Sequence, residues 1–204
     1  MWAVVLAGGQ GRRLRPLIRR VCGAERPKQF APLVGSRSML SATLDRVALA
    51  IDPKRTVVVA HRDHVGYFAD EMAQGLLPRV LVQPADRGTA AAVLLAAHWI
   101  SWLDPESTLA LFPSDHFIRN EAAFIDHVQG VAAFVREHPE WMVLLGAAST
   151  EPEPEYGWIA PGAVVGRVGG DPIRRVLWFV EKPTRLAVDA ARRALERSAG
   201  WPAS

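Results

Sequence analysis

The sequence predicts an α/β protein built on a doubly wound, mostly parallel sheet, with a small antiparallel excursion near the C-terminus. Short valine-rich apolar runs alternate with segments whose apolar residues recur at helical spacing, and those segments are long enough to serve as right-handed crossovers between parallel strands. The runs are continuously apolar rather than alternating, as strands covered on both faces require. With 204 residues, 50% of them hydrophobic, the chain suits one domain over 1–204 better than two.

Trp2 to Ala7, bounded by Gly8 and Gly9, predicts a central strand. After an irregular, basic, Pro-containing stretch, Leu40, Leu44, Val47, Ala48 and Ile51 mark a helix that Pro53 ends. Thr56 to Ala60 is a second strand, and Tyr67, Phe68, Met72 and Leu76 suggest a second helix. A strand at Val80 to Gln83 precedes a helix from Thr89 to Leu103, and a strand at Thr108 to Phe112 precedes a helix carrying Phe124, Ile125, Val128, Val131, Ala132 and Val135. Met142 to Ala147 predicts a fifth strand. Beyond Thr150 the rhythm changes: Tyr156 to Ala160 and Arg174 to Glu181 read as antiparallel strands, Gly162 to Gly170 as turns, and Thr184 to Arg197 as a helix.

Composition excludes several classes. The formal charge is only +3, with 24 basic residues scattered among 21 acidic ones, so nucleic acid is not expected as a partner. Cys22 is the only cysteine, which rules out an internal disulfide and a Cys-x-x-Cys redox or zinc motif and points to the cytoplasm. The apolar runs are too short for a signal peptide or a membrane span, so no membrane partner is expected. Self-association is left open.

The chemistry-bearing motifs lie where the predicted strands end. Leu6-Ala7-Gly8-Gly9-Gln10-Gly11-Arg12-Arg13-Leu14 places a glycine-rich loop and two arginines after the first strand. Glycines let backbone N–H groups approach phosphate oxygens, and arginines add bidentate charge-assisted bonds. Neither the dinucleotide fingerprint nor the Walker loop fits this spacing, so a plain strand-to-helix turn stays open as an alternative. The chain has 21 arginines but only three lysines, Lys28, Lys54 and Lys182, and Lys28 and Lys182 each sit within a proline-containing motif. Asp115 follows a buried strand and Pro113, where it can face a bound cation or simply cap a turn.

Together these segments resemble the sugar-1-phosphate nucleotidyltransferases, most closely the mannose-1-phosphate guanylyltransferases. Five parts in order carry the resemblance: the glycine-rich opening, Arg26-Pro27-Lys28-Gln29-Phe30, Gln83-Pro84-Ala85-Asp86-Arg87-Gly88-Thr89-Ala90, Phe112-Pro113-Ser114-Asp115-His116 and Val180-Glu181-Lys182-Pro183. The resemblance implies a Rossmann-like fold that transfers a nucleotidyl group from a nucleoside triphosphate, GTP by this reading, to a hexose 1-phosphate, mannose 1-phosphate by this reading. It implies catalytic roles for Arg13 and Lys28. It implies nucleotide binding by Leu6, Ala7, Gly8, Gly9, Gly11, Arg12, Gln83, Gly88 and Thr89, sugar-phosphate binding by Gly157, Glu181 and Lys182, and Mg²⁺ held at Asp115.

The match departs from the family at three places. Arg12 stands where the family usually has Thr or Ser, and Gly88 where guanylyltransferases often carry Asn. The family's Asn-Ser-Gly segment and second metal-binding Asp do not follow Lys182, so a C-terminally incomplete domain is expected, one that binds triphosphate better than it turns it over. Two other readings stay open: a non-catalytic nucleotide-sugar binding or regulatory module, and a glucose-1-phosphate uridylyl- or thymidylyltransferase.

Overall fold

The computed structural model describes residues 1–11, 14–33, 35–73, 75, 77–148 and 154–189. Two compact units emerge, Met1–His138 and Pro139–Ser204.

In the first unit, β1 (Trp2–Ala7), β2 (Thr56–His61), β3 (Arg79–Gln83) and β4 (Leu109–Pro113) form a parallel sheet in the order β3-β2-β1-β4. Five helices accompany them among the described residues: α1 (Arg15–Cys22), α2 (Met39–Ala48), α3 (Ala69–Ala73), α4 (Gly88–Leu103) and α5 (Glu121–Glu137). The period-two geometry of the strands divides their side chains between two cores. Ala3, Val5, Ala7, Val58 and Ala60 pack with Leu40 and Val47 of α2 and Ile125 and Val128 of α5. Trp2, Val4, Val57 and Val59 pack with Ala92, Ala96 and Ile100 of α4 on the opposite face. The doubly wound sheet expected from the continuous apolar runs is thus present.

Strand order decides where a ligand can bind. The chain moves outward from β1 to β2 and β3, then returns to place β4 on the other side of β1. This reversal leaves a crevice beyond the carboxyl ends of β1 and β4, the usual ligand position in open α/β sheets. Leu6 pairs in register with Pro113, so the Gly8 loop and Ser114–Asp115 leave the sheet side by side.

Four details differ from the sequence reading. The basic stretch after the glycine loop contains α1, which opens with a proline in its first turn and closes on Gly23 at φ 70°. Its apolar stripe was not legible, because Ile18 is buried while Leu17 and Val21 are exposed. Of the helix expected over Tyr67 to Leu76, the described residues show the short α3, preceded by a 3₁₀ stretch, Arg62–Tyr67, while Leu76 lies outside the described residues. Met142 to Ala147 is not a strand: residues 141–148 form no regular structure, and Met142, Leu144 and Leu145 are exposed. Apolar content favours burial, but a strand also needs a neighbouring backbone to complete its ladder, and the described residues offer none there.

In the second unit, β5 (Gly157–Val168) and β6 (Asp171–Glu181) form an antiparallel hairpin. The turn is confined to Gly169 and Gly170, both at positive φ (57° and 94°), the geometry that lets a two-residue connection follow the strands' twist. The predicted turn at Gly162 is strand, with register shifts between Ala160 and Gly166 absorbing Pro161 and its neighbours. Residues 185–189 are helical, and the remainder of the predicted helix, 190–197, lies outside the described residues.

Candidate functional site

The first cluster lies at the strand-order reversal. Gly11 has φ 57°, and a Cβ there would fall 2.9 Å from the Lys28 backbone nitrogen, so glycine is needed both for the turn and for the approach of the Lys28 segment. Gln29, 2% exposed, donates its amide to the carbonyls of Ala7 at 2.9 Å and Gly9 at 2.8 Å. The glycine loop is therefore tied to the Arg26–Phe30 motif through both backbone and side chain. On the β4 side, the backbone N–H and hydroxyl of Ser114 both donate to the Leu6 carbonyl, at 3.2 and 2.7 Å.

These ties bring Lys28 to Asp115, whose carboxylate forms an ion pair with the Lys28 ammonium. Both side chains remain partly exposed, so each can exchange its partner for a solute charge of the same sign. Gln83, buried at the end of β3, approaches Gly8: its side-chain oxygen would lie 3.5 Å from a Cβ at that position. Gly88 opens α4 at φ 80°, its N–H bonded to Asp86 at 3.1 Å, and Thr89 is exposed in the first turn. Arg12 and Arg13 lie outside the described residues.

Several residues without an assigned role in the sequence reading hold this cluster. Arg46 of α2 is buried and donates to Glu121 at 3.0 Å and to the His116 carbonyl at 3.4 Å, fixing the loop that carries Asp115. His64 is buried beside His61, with ring centroids 5.6 Å apart, and bonds the Ala7 backbone. Burial pushes the His64 pKa down, and His61 adds to this, while the bond to Ala7 and the carboxylates of Asp63 and Asp86 oppose it. A lone basic residue on an apolar face gives no sign in sequence that it supports a loop; only the Pro-Lys-Gln-Phe wording flagged Gln29.

The second cluster lies in the second unit. Gly157 pairs with Glu181 across the hairpin, and a Cβ at Gly157 would lie 3.0 Å from Glu181 Oε2. Lys182 adopts φ 46°, its N–H donates to the Tyr156 carbonyl at 3.2 Å, and its ammonium lies 3.4 Å from Glu181. The hairpin thus gathers all three residues expected to bind the sugar phosphate.

This chain belongs to the nucleotidyl transferase family, whose profile matches residues 2–195. It is 40% identical over 182 residues to the xanthan biosynthesis protein XanB of Xanthomonas campestris pv. campestris strain B100, covering 88% of this chain and 36% of XanB. It is 31% identical over 184 residues to a mannose-1-phosphate guanylyltransferase of Escherichia coli, covering 89% of this chain and 37% of that protein. The chain therefore spans little more than a third of these curated relatives. Among solved structures, a protein from Thermus thermophilus described as a mannose-1-phosphate geranyltransferase shares the fold with a TM-score of 0.73 at 34% identity, over 94% of this chain and 53% of that one.

Proposed function

We propose that this chain provides the nucleotide-binding part of a sugar-1-phosphate nucleotidyltransferase acting on GTP and mannose 1-phosphate in the cytoplasm. The observation that carries the reading is the convergence of the glycine loop, Lys28, Gln83 and Asp115 where strand order reverses. In the proposed reaction a phosphate oxygen of the sugar phosphate attacks the α-phosphorus of the triphosphate in line. A new P–O bond forms, the bond to the bridging oxygen breaks, and pyrophosphate leaves. Both substrates are strongly anionic, so positioning and charge compensation dominate catalysis.

Lys28 leaves Asp115 to stabilise negative charge building at the α-phosphate, and Arg13, with Arg12 beside it, holds the departing phosphates. Leu6, Ala7, Gly8, Gly9 and Gly11 present backbone to the nucleotide, while Gln83, Gly88 and Thr89 line its base side. Glu181 accepts sugar hydroxyls, Gly157 lets backbone approach the ring, and Lys182 holds the sugar's phosphate. The donor set fits Mg²⁺, since one carboxylate of partial exposure suits an ion that keeps several waters and arrives with its phosphates. Among the described residues no group of three or more His, Cys, Asp or Glu side chains could hold a metal by itself. Bound there, Mg²⁺ would screen phosphate charge. No helix among the described residues is long and apolar enough to cross a membrane.

The deciding experiment incubates the chain with GTP, mannose 1-phosphate and Mg²⁺ and follows pyrophosphate release, with other triphosphates and hexose phosphates in parallel. GTP with mannose 1-phosphate should turn over fastest, and Lys28→Ala should lower the rate by about 10². Triphosphate binding without pyrophosphate release would favour a binding module, and no triphosphate binding would remove the reading.

A further inference from the structure

A second recess lies against the segment that carries Arg26 and Phe30. It is a cavity of about 200 Å³ lined by Arg26, Phe30, Pro32, Ser36, Ser38 and Tyr67. Arg26 and the hydroxyl-bearing Ser36, Ser38 and Tyr67 line it, and among the described residues no carboxylate does. The acids nearest Arg26 and Ser38 along the chain that carry ion pairs, Glu25 and Asp45, pair with Arg19 and Arg37. Among the described residues Arg26 Nε is buried with no hydrogen-bond partner, and the bond that Nη1 donates to the Phe30 carbonyl is a long one of 3.4 Å. A guanidinium whose Nε lacks an acceptor and whose Nη1 bond is long is under-satisfied, and a phosphate meeting the part of Arg26 that lines the recess supplies charge-assisted bonds.

We propose that this recess is a second anion site, separate from the glycine loop, that takes the phosphate group of a small phosphomonoester. Arg26 supplies the charge and Ser36 a hydroxyl donor, while the hydroxyls of Ser38 and Tyr67, already bonded to Ser41 and to the Glu25 carbonyl, complete the polar wall. The cavity is smaller than the roughly 300–1,000 Å³ of drug-sized ligand pockets, so it suits a phosphate with a few carbons better than a whole nucleotide. Phe30 forms one wall, and it directly follows Gln29, which holds the glycine loop, and Lys28, which pairs with Asp115. An occupant here therefore acts on the turn that positions the nucleotide-binding residues. The assignment does not depend on the identity of the sugar or base used at the first site.

The test is calorimetric titration of the full chain with inorganic phosphate and with glycerol phosphate at constant ionic strength. The proteins compared are the parental chain, Lys28→Ala, Arg26→Gln and Ser36→Asp. Both probes should bind the parental chain and Lys28→Ala, glycerol phosphate more tightly, because Lys28 belongs to the other site. Arg26→Gln removes the cation and Ser36→Asp puts a carboxylate at an exposed wall position, and each should weaken both probes at least tenfold. Circular dichroism monitors folding, and Ser36→Asp carries the test if Arg26→Gln is unstable. Parental affinity in folded Arg26→Gln or Ser36→Asp would overturn the proposal. So would binding that disappears in Lys28→Ala alone, or no heat from either probe at tens of millimolar.

Discussion

Gly11→Ala should destabilise the fold through two separable terms. The native φ of 57° lies in the left-handed region, which costs a residue with a side chain about 1–2 kcal/mol. The new methyl would lie 2.9 Å from the Lys28 backbone nitrogen and 3.3 Å from Lys28 Cγ. The side chain can move, but the backbone is held by the bonds from Phe30 N–H to the Pro27 carbonyl and from Ala31 N–H to the Lys28 carbonyl, at 3.0 and 3.1 Å. Overpacking against fixed backbone adds about 1–3 kcal/mol, for a total of roughly 2–5 kcal/mol. Urea unfolding followed by tryptophan fluorescence should show the midpoint falling by about 1–2 M. Gly9→Ala is the control, because nothing lies within 4 Å of its added Cβ and its φ is not in the positive region. A Gly11→Ala midpoint matching that of Gly9→Ala would refute the claim that Gly11 is required by contact with Lys28.

Three further outcomes are expected. Gln29→Leu keeps the volume but removes both loop bonds, so stability should fall by about 1–3 kcal/mol and triphosphate affinity should fall with it, measured by urea unfolding and calorimetry. Arg46→Leu should cost about 1.5–3 kcal/mol in the same unfolding assay, because a buried charged hydrogen bond to Glu121 is lost and the His116 carbonyl is released. His64 has its pKa below the ordinary 6.5 in the folded chain, so the unfolded chain binds the extra proton. Its contribution is full above pH 6.5 and is lost as pH falls from there through the folded value; urea midpoints between pH 5 and 8 should show this slope, and a His64→Gln variant with the parental slope would exclude His64 as its source.

Local pattern was enough to place β1 to β4, α2, α4 and α5, because strands buried on both faces and amphipathic helices write their burial into consecutive residues. The glycine loop, Lys28 and Asp115 were legible for a related reason: chemistry at strand ends needs particular residue types at short spacing, as in Gly8-Gly9-Gln10-Gly11 and Pro113-Ser114-Asp115. Met142 to Ala147 shows the limit, since an apolar run states a preference for burial but cannot supply the neighbouring backbone that makes it a strand. The contacts that support the site were likewise invisible, even where a motif had flagged the residue, as with Gln29. Gln29 reaches back 20 and 22 residues to the loop, Arg46 reaches 70 and 75 residues to the Asp115 segment, and Ser114 reaches 108 residues to Leu6. The sequence alone determined the alternation of elements and the kinds of residue at the strand ends. Only the tertiary structure decided that Lys28 meets Asp115, because that meeting depends on strand order, and strand order follows from long-range pairing that no local pattern records.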